Sequence, residues 1–303
     1  MENSKVKFKK PTLIERAQLQ VSGFDVLWHR LEQAIALGGH SPSTLTNYGR
    51  CIAKIALHFK LLPTALEEEQ INGYLFDLKQ GKNHSLSYFK HTVYGLRFLF
   101  RIYELEDKAI KLPTLKKKHT LPVVLSVTEV KRLMSAPKLL KHRVLIGMIY
   151  SSGLRLKEVR NLKQSDIDFD RMLIHIRQTK YNKDRYVPLS ELMARGLKKY
   201  YEAIKPIHWV FNGKELGSQL SAKGVQWPVR QAIKRSGITK EASVHTLRHT
   251  YATHLLEQGM DIDSLSKLLG HAHLSTTLIY LHVARLNRTS GFSPLDRIYE
   301  GGK

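Results

Sequence analysis

Cysteine is nearly absent from the sequence: Cys51 is the only one among 303 residues. A single cysteine excludes an intramolecular disulfide and leaves no cysteine cluster that could bind zinc. Long apolar runs are also missing, because none approaches the roughly 20 residues that a membrane-spanning helix needs. The charged N-terminus has no apolar stretch after it, which is not typical of a signal peptide. We therefore expect a cytoplasmic protein with no membrane-embedded segment.

Acidic residues are scarce relative to basic ones. Lysine and arginine number 49 and the two acids 26, which gives a formal net charge of +23. This surplus predicts a polyanionic partner, since cations that neutralise phosphates release condensed counterions. Nucleic acid is the first candidate and an anionic membrane surface is the second. Hydrophobic residues make up 42% of the chain, which is typical of a globular protein of one large or two ordinary domains.

The first third of the chain is patterned for helices. Residues 1–22 are polar and basic without a clear period, and we interpret them as an N-terminal arm. In residues 23–106, apolar side chains recur at helical spacing, which predicts a compact bundle of four helices. Thr64, followed by Glu67 three positions later, predicts a capping box at the start of the third helix.

Residues 107–124 interrupt the helical pattern. They contain Pro113, Pro122 and a run of basic residues, which predicts a linker between two domains. Residues 125–285 begin and end with helical periodicity, and short stretches of period two between residues 167 and 189 predict a few strands. The predicted fold class is therefore mainly α with a small antiparallel β-sheet, in two domains.

Histidines cluster near the C-terminus, which raises the question of a metal site. No carboxylate or cysteine occurs at ligand spacing among them, and the HEXXH pattern is absent. Arg248 lies in the middle of the first group and favours an anion over a cation. We therefore expect no metal and no other cofactor. The clustered residues are His245, His249, His254, His271 and His273.

A phosphate site fits these residues better than a metal site. Arg155 follows a turn at the start of a predicted helix, where its planar guanidinium and helix N-terminal amides can bind phosphate oxygens. Arg248 supplies a second guanidinium. Two arginines with histidines can stabilise a pentacoordinate phosphoryl transition state without a metal. Tyr280, nine residues after His271, is the candidate nucleophile.

Four stretches together carry a resemblance to a known family. They are Tyr150–Glu158, His245–His254, Leu269–His271 and Ser275–His282. In order and spacing they resemble the tyrosine recombinase, or phage integrase, family over residues 125–285, with the Xer-type and integron-type enzymes nearest in pattern. Residues 23–106 are similar to the family's SAM-like core-binding domain. The resemblance implies a helical DNA-binding domain followed by an α/β catalytic domain.

The resemblance implies a role for each motif residue in DNA cleavage. Arg155 and Arg248 would clamp the scissile phosphate, and Tyr280 would attack it to form a 3′-phosphotyrosyl bond. His271 would hydrogen-bond a phosphate oxygen or the nucleophile. His245 would exchange a proton with Tyr280. Two neighbours would support the site: Glu158, which would orient it by hydrogen bonding, and His249.

The family's remaining catalytic group is a lysine on a β-hairpin turn, which protonates the leaving 5′-oxygen. Lys180 matches its position. The family usually has glycines beside this lysine, whereas Thr179 and Tyr181 stand here, so Lys183 is a rival. Lys180 is favoured because a slip of one residue would turn the side chains of a strand to its other face.

The resemblance implies a site-specific DNA recombinase that works through a Holliday junction without metal or ATP, on double-stranded DNA with specific recombination sites. Exchange of two duplexes implies a homo-tetramer on DNA, and residues 286–303 form a tail whose apolar residues we expect to dock on a neighbour. Such an enzyme would associate with the nucleoid, and a mobile genetic element is one setting. The alternatives are a type IB topoisomerase or a non-catalytic DNA-binding protein. The expected DNA contacts are Lys90, Arg97, Arg101, Lys116, Lys117, Lys118, Lys183 and Arg185.

Overall fold

The structure, a computed structural model, describes residues 10–81, 85–115, 120–177 and 184–284. Contacts within the chain divide it into two compact units, Met1–Lys118 and His119–Lys303. The division lies within the predicted linker. In the described ranges, no helix is long and apolar enough to cross a membrane.

The N-terminal unit is entirely helical in the residues that the structure describes. Its third helix begins at Pro42, because the Ser41 hydroxyl accepts a hydrogen bond from the backbone N–H of Thr44 at 3.3 Å. Apolar residues on the inner faces of the helices form the core, among them Leu31, Ile52 and Leu96. The helices are α1 Leu13–Gln20, α2 Phe24–Leu37, α3 Pro42–Phe59, α4 Glu68–Gln80, α5 Leu86–Ile102 and α6 Glu106–Lys111.

The boundaries of this unit correct two predictions. Helix α1 lies inside the predicted N-terminal arm, and it packs on α3 with Ala17 fully buried. Helix α6 lies in the predicted linker, and Ala109 and Leu112 are buried in the core. Both helices are short and bury few side chains, so neither leaves a clear apolar period in the sequence.

The predicted capping box at Thr64 is also wrong. Residues Pro63–Ala65 form a short 3₁₀ turn, and α4 begins after Glu67. The side chain of Gln70 accepts a hydrogen bond from the backbone N–H of Glu67 at 2.9 Å. The cap therefore lies three residues later than the sequence pattern indicated.

The C-terminal unit combines helices with a small sheet, as predicted. Helix α8 is buried along most of its length and packs against α10, α11 and α12, so it forms the centre of the unit. The helices of the C-terminal unit are α7 Val127–Ser135, α8 Leu140–Ser152, α9 Leu156–Asn161, α10 Glu191–Ile204, α11 Ala222–Arg235, α12 Val244–Glu257, α13 Ile262–Leu269 and α14 Ser275–Leu278, followed by a 3₁₀ turn Ile279–His282.

Three short strands form an antiparallel sheet in the order β1 Ile167–Asp168, β2 Leu173–Ile176, β3 Arg185–Pro188. Ile174 pairs with Ile167 on one side and Val187 on the other, and all three are buried. The period-two pattern therefore located the strands correctly. Since side chains alternate along a strand, Arg185 lies on the same face as buried Val187.

Candidate active site

Two arginines are held by the C-terminal ends of helices. Arg248, on α12, donates to the carbonyl of Gly153 at 2.6 Å and to that of Leu269 at 2.5 Å. Arg155, at the N-cap of α9, donates to the carbonyl of Gly270 at 3.1 Å. The last carbonyls of a helix lack partners within it and carry a partial negative charge, so they favour cations. The ends of α8 and α13 thus position both predicted phosphate-binding groups.

Glycine is required at the end of α8. Gly153 has a φ of +58°, and an added Cβ would lie 2.4 Å from a ring carbon of Tyr251. The left-handed conformation reverses the chain between α8 and α9. It also turns the Gly153 carbonyl towards Arg248, so the turn and the arginine contact depend on the same residue.

Arg185 is a third arginine in this cluster and occupies the first position of β3. It donates to the carbonyl of Leu268 at 2.8 Å and to both carboxylate oxygens of Glu158, at 2.9 and 2.8 Å. Its side chain is 8% exposed. The prediction of a direct DNA contact for Arg185 is therefore corrected, since its donors are directed into the protein.

Glu158 is the buried counter-ion of all three arginines. Besides the two bonds from Arg185, it accepts hydrogen bonds from the side chain and the backbone N–H of Arg155, both at 2.8 Å, and Arg248 lies 3.9 Å away. Burial alone would raise the pKa of Glu158, but the hydrogen bonds and charges of Arg185 and Arg155 lower it to about 2. The carboxylate is thus ionised and holds Arg155 and Arg185 by hydrogen bonds, while its supporting role in the reaction stays a prediction.

Arg248 stays charged although it is almost fully buried. Burial, followed by the charge of Arg155, lowers its pKa to about 10, while Glu158 opposes the shift. The guanidinium is therefore protonated near pH 7. In the described ranges, three arginines share one carboxylate, Glu158. The resulting local excess of positive charge favours an anionic ligand.

His271 is neutral in this arrangement, and its tautomer follows from its neighbours. Arg248 can only donate, so at 3.2 Å it makes Nε2 of His271 an acceptor, and Nδ1 donates to the hydroxyl of Thr277 at 2.8 Å. Burial, then Arg248, Arg155 and Arg185, lower the pKa of His271 to about 3. A bound phosphate would offset these charges and raise that pKa, because an anion favours the imidazolium.

Tyr280 lies between two histidine rings in the 3₁₀ turn after α14 and is 2% exposed. Its ring stacks on His271 with centroids 6.4 Å apart, and its hydroxyl lies 3.0 Å from Nδ1 of His249. Burial raises the pKa of Tyr280, and the charges of Arg248 and Arg155 oppose the shift. The structure thus brings the predicted nucleophile to the cluster of arginines and histidines.

The hydrogen-bond partner of the Tyr280 hydroxyl is His249, while the proton exchange expected of His245 stays a prediction. The family resemblance implies this exchange for His245 and a supporting role for His249, whereas the structure places His249 against the hydroxyl. His245, at the start of α12, keeps exposed surface. Partial desolvation by the surrounding protein, followed by the charges of Arg248 and Arg155, lowers its pKa. The two histidines are four residues apart on one helical face, so spacing alone does not distinguish them.

Several predicted residues lie outside the described ranges. These are the candidate leaving-group acid Lys180, its rival Lys183, the basic run Lys116, Lys117 and Lys118, and the tail 286–303.

Among the expected DNA contacts of the N-terminal unit, Arg97 is corrected. It donates to the carbonyls of Ala109, Leu112 and Pro113 and so fastens α6 to α5. Arg101 is exposed and Lys90 is partly exposed, so both keep side-chain surface for a ligand.

Metal-binding geometry is not found in the described part of the chain, where no group of three or more histidine, cysteine or acidic side chains is placed to hold an ion. Two of the clustered histidines, His249 and His271, instead contact arginine, tyrosine and threonine side chains. The cluster therefore has the donors of an anion site.

The structure brings together two arginines, a buried carboxylate, histidines and a buried tyrosine. This is the set of groups expected of a protein of the tyrosine recombinase class. Comparison with known proteins agrees with this class. Residues 123–286 match the phage integrase family, and residues 27–109 match the phage integrase N-terminal SAM-like domain. The chain belongs to the phage integrase family, and it is an enzyme of site-specific DNA recombination.

Individual relatives cover nearly the whole chain. A putative integrase/recombinase, y4qK of Sinorhizobium fredii, is 33% identical over 89% of this chain and 88% of its own. The tyrosine recombinase XerA of Thermococcus kodakarensis is 35% identical over 83% of this chain and 89% of its own. The structure of XerH bound to a palindromic difH substrate has a TM-score of 0.69 at 21% identity, covers 90% of both chains, and shows the same fold.

Proposed function

We propose that this enzyme cuts and rejoins duplex DNA through a covalent bond between Tyr280 and a 3′-phosphate. The observation that supports this most directly is the placement of the Tyr280 hydroxyl, 3.0 Å from His249, beside a histidine that contacts Arg248. The bond energy of the DNA is kept in the phosphotyrosine, so no ATP is consumed.

Arg155 and Arg248 bind the non-bridging oxygens of the scissile phosphate in this proposal. Both are held by carbonyls and by Glu158 before the phosphate arrives, so little reorganisation is needed when charge develops in the transition state. His271 becomes protonated as the phosphate binds and contacts one of its oxygens. The proton exchange that the resemblance assigns to His245 stays a prediction.

Lys180 donates the proton that the leaving 5′-oxygen requires, with Lys183 as the alternative donor. No divalent metal takes part, because the arginines, the lysine and the histidines together neutralise the phosphate. Expulsion of an alkoxide is unfavourable near pH 7, so loss of this lysine would slow cleavage strongly.

Exchange of two duplexes requires four active sites, and we propose that four protomers assemble on paired recombination sites with the tail 286–303 as a contact between neighbours. The partner DNA would carry short inverted repeats. We further propose that the enzyme acts in the cytoplasm on DNA of the nucleoid or of a mobile genetic element, because curated relatives are named integrases and recombinases.

The test uses a pool of nicked duplexes with a randomised central sequence, in excess EDTA. Cleavage beside the nick releases a short oligonucleotide that diffuses away, so the protein stays covalently attached to the DNA. We expect an adduct that survives SDS, and sequencing the attached DNA then gives the site. Tyr280→Phe should bind the same DNA and form no adduct, because its ring keeps the packing and only the hydroxyl is lost.

Four other outcomes would contradict the proposal. A Tyr280→Phe adduct would exclude the nucleophile. Relaxation of supercoiled plasmid without exchange between paired sites would indicate a type IB topoisomerase, and binding without any adduct would indicate a non-catalytic protein. Loss of cleavage in EDTA that added metal restores would show a metal requirement.

A further inference from the structure

The Tyr280 hydroxyl has a single described hydrogen-bond partner in the structure. Nδ1 of His249 lies 3.0 Å from it, and the two rings are tilted by 49° with centroids 5.7 Å apart. His249 is on α12, whereas Tyr280 is on the turn after α14. The contact therefore joins a fixed helix of the unit to the segment that carries the nucleophile.

Charged and titratable groups surround His249 on all described sides. His245 and Arg248 face it from α12 itself, His271 from the end of α13, and Tyr280 from the 3₁₀ turn. Burial, followed by His245 and Arg248, lowers the pKa of His249 to about 4. The imidazole is therefore neutral near pH 7 and has one ring nitrogen free to accept a proton.

We propose that His249 is the catalytic base for Tyr280, accepting the phenol proton at Nδ1 during DNA cleavage and returning it during rejoining. This inference rests on the proposed function, because it assumes that Tyr280 attacks the phosphate. It gives to His249 the role that the family resemblance gave to His245.

The step balances in both directions. In cleavage, the bond between the Tyr280 oxygen and phosphorus forms, the phenol proton moves to His249, and the bond from phosphorus to the 5′-oxygen breaks as Lys180 protonates that oxygen. In rejoining, the incoming 5′-hydroxyl attacks phosphorus and gives its proton to the lysine. The Tyr280 oxygen then leaves and takes the proton back from the imidazolium.

Phosphate binding makes His249 a better base. In the free enzyme the positive charge of Arg248 disfavours an imidazolium. A phosphodiester bound by Arg155 and Arg248 offsets that charge and moves the pKa of His249 up towards its ordinary range, where a general base is most effective. The base is thereby activated only when the substrate is in place.

The same helix offers a matched control. His254, five residues further along α12, also has its Nδ1 beside a tyrosine hydroxyl, that of Tyr150 at 2.9 Å. His254 is buried and His249 is partly buried, and both contact a tyrosine hydroxyl through Nδ1. His254 does not contact Tyr280, so replacing it removes an equivalent hydrogen bond without touching the nucleophile.

The experiment measures single-turnover cleavage of the nicked duplex enriched from the pool, with His249→Ala, His249→Asn and His254→Asn. Asparagine places an oxygen near the position of Nδ1, so it can accept the hydrogen bond but cannot take up a proton. We expect both His249 variants to cleave about 10²-fold more slowly than the wild type near pH 7. Their rates should rise about tenfold per pH unit, because hydroxide must then remove the phenol proton.

His254→Asn should keep the wild-type rate and pH profile even if its melting temperature falls. A substrate with sulfur at the bridging 5′ position does not need a protonated leaving group. It should restore cleavage by Lys180→Ala but not by His249→Ala, because only the second variant lacks the base for the nucleophile. Melting temperatures and DNA binding of every variant are measured alongside the rates.

Four results would overturn the inference while leaving the proposed function intact. Three of them concern His249→Ala: cleavage at the wild-type rate, cleavage faster than the wild type, or rescue by the sulfur substrate. The fourth is a wild-type rate for His249→Asn, which would show that the contact only positions Tyr280. A hydroxide-dependent defect in His245→Asn alone would move the role to His245. If the wild type itself forms no adduct, the proposed function fails first.

Discussion

The two units of this enzyme bury different kinds of side chain. In the described part of the N-terminal unit, Thr92 is the only buried polar or charged residue apart from Tyr74 and Cys51. The C-terminal unit buries charged groups, among them Glu158 and Arg248. Apolar packing therefore stabilises the N-terminal unit, whereas charged groups of the candidate active site occupy part of the interior of the C-terminal unit.

A buried charge is costly unless each of its partners is present. The C-terminal unit meets this condition with one carboxylate, Glu158, and with carbonyls at the ends of α8 and α13. Damage to this network should therefore affect stability and catalysis together. Damage to the core of the N-terminal unit should affect stability and DNA binding without changing the chemical step.

The largest effect is expected for Glu158→Gln. The amide has nearly the same shape, but it leaves three arginines without their counter-ion, and removal of one partner from such a buried pair costs about 3 kcal/mol or more. Thermal denaturation and the cleavage rate should both show severe loss. Thr92→Val in the N-terminal unit is the control, with a cost of about 1 kcal/mol from one hydrogen bond and an unchanged cleavage rate.

The same carboxylate predicts how stability depends on pH. The pKa of Glu158 falls from 4.5 to about 2 on folding. Its contribution is therefore present above pH 4.5 and is lost as the pH falls towards 2, for a total of about 3 kcal/mol. The loss of stability between these values should be smaller in Glu158→Gln, and equal acid sensitivity of both proteins would contradict the assignment.

Arg155→Ala and Arg248→Ala rank next and should slow cleavage at least ~10²-fold, as expected for the loss of an oxyanion donor. DNA affinity should change much less, because many other cations contribute. Arg248→Ala should also lower the melting temperature, since it leaves two helix-end carbonyls without a donor. Wild-type cleavage by either variant would show that the phosphate clamp is misassigned.

A pair of glycines separates backbone strain from site geometry. Gly39 in the N-terminal unit and Gly153 in the C-terminal unit both have a left-handed φ, +62° and +58°. Alanine at either costs about 1–2 kcal/mol for the backbone alone. Gly39 has open space around its Cβ position, whereas Gly153 faces Tyr251 at 2.4 Å. Gly153→Ala should thus lose more stability and also cleavage, and equal effects on both would contradict the site geometry.

The smallest effect is expected for Arg101→Ala. If this exposed arginine of α5 contacts one phosphate, its removal lowers the slope of log binding constant against log salt by about 0.9 without changing the melting temperature. Arg97→Ala should lower the melting temperature and leave the salt slope unchanged. Arg97 donates to the carbonyl of Ala109 in α6 and to that of Leu112 just after the helix. Filter binding over a range of salt concentrations and a melting curve separate the two; an unchanged slope for Arg101→Ala would remove it from the DNA contacts.

Sequence reasoning located the elements that bury a continuous apolar face. The three strands and the long helices were predicted, because their periods depend on many residues at once. Helices α1 and α6 were missed since each buries only one or two side chains. The motif residues Arg155, Arg248, His271 and Tyr280 were recognised from family spacing, and the structure brings them together.

The contacts within the site depended on tertiary structure. The turn after α14 packs against α12 and brings the Tyr280 hydroxyl to His249 rather than His245. No local sequence pattern predicts this packing. Two signals in the sequence could have predicted that Arg185 and Arg97 do not contact DNA. Arg185 alternates in phase with buried Val187, and Arg97 lies at helical spacing from buried Val93, so both arginines face inward.

Peptide mapping of the protein–DNA adduct tests the central claim most directly. Trypsin cuts after Lys267 and Arg285, and the peptide between them contains Tyr280 as its only tyrosine. After nuclease digestion, mass spectrometry should find a 3′-linked nucleotide on Tyr280 of this peptide in the wild type and none in Tyr280→Phe. A nucleotide on a tyrosine elsewhere in the chain, or an unmodified 268–285 peptide from purified adduct, would contradict the assignment of this buried cluster as the site of strand cleavage.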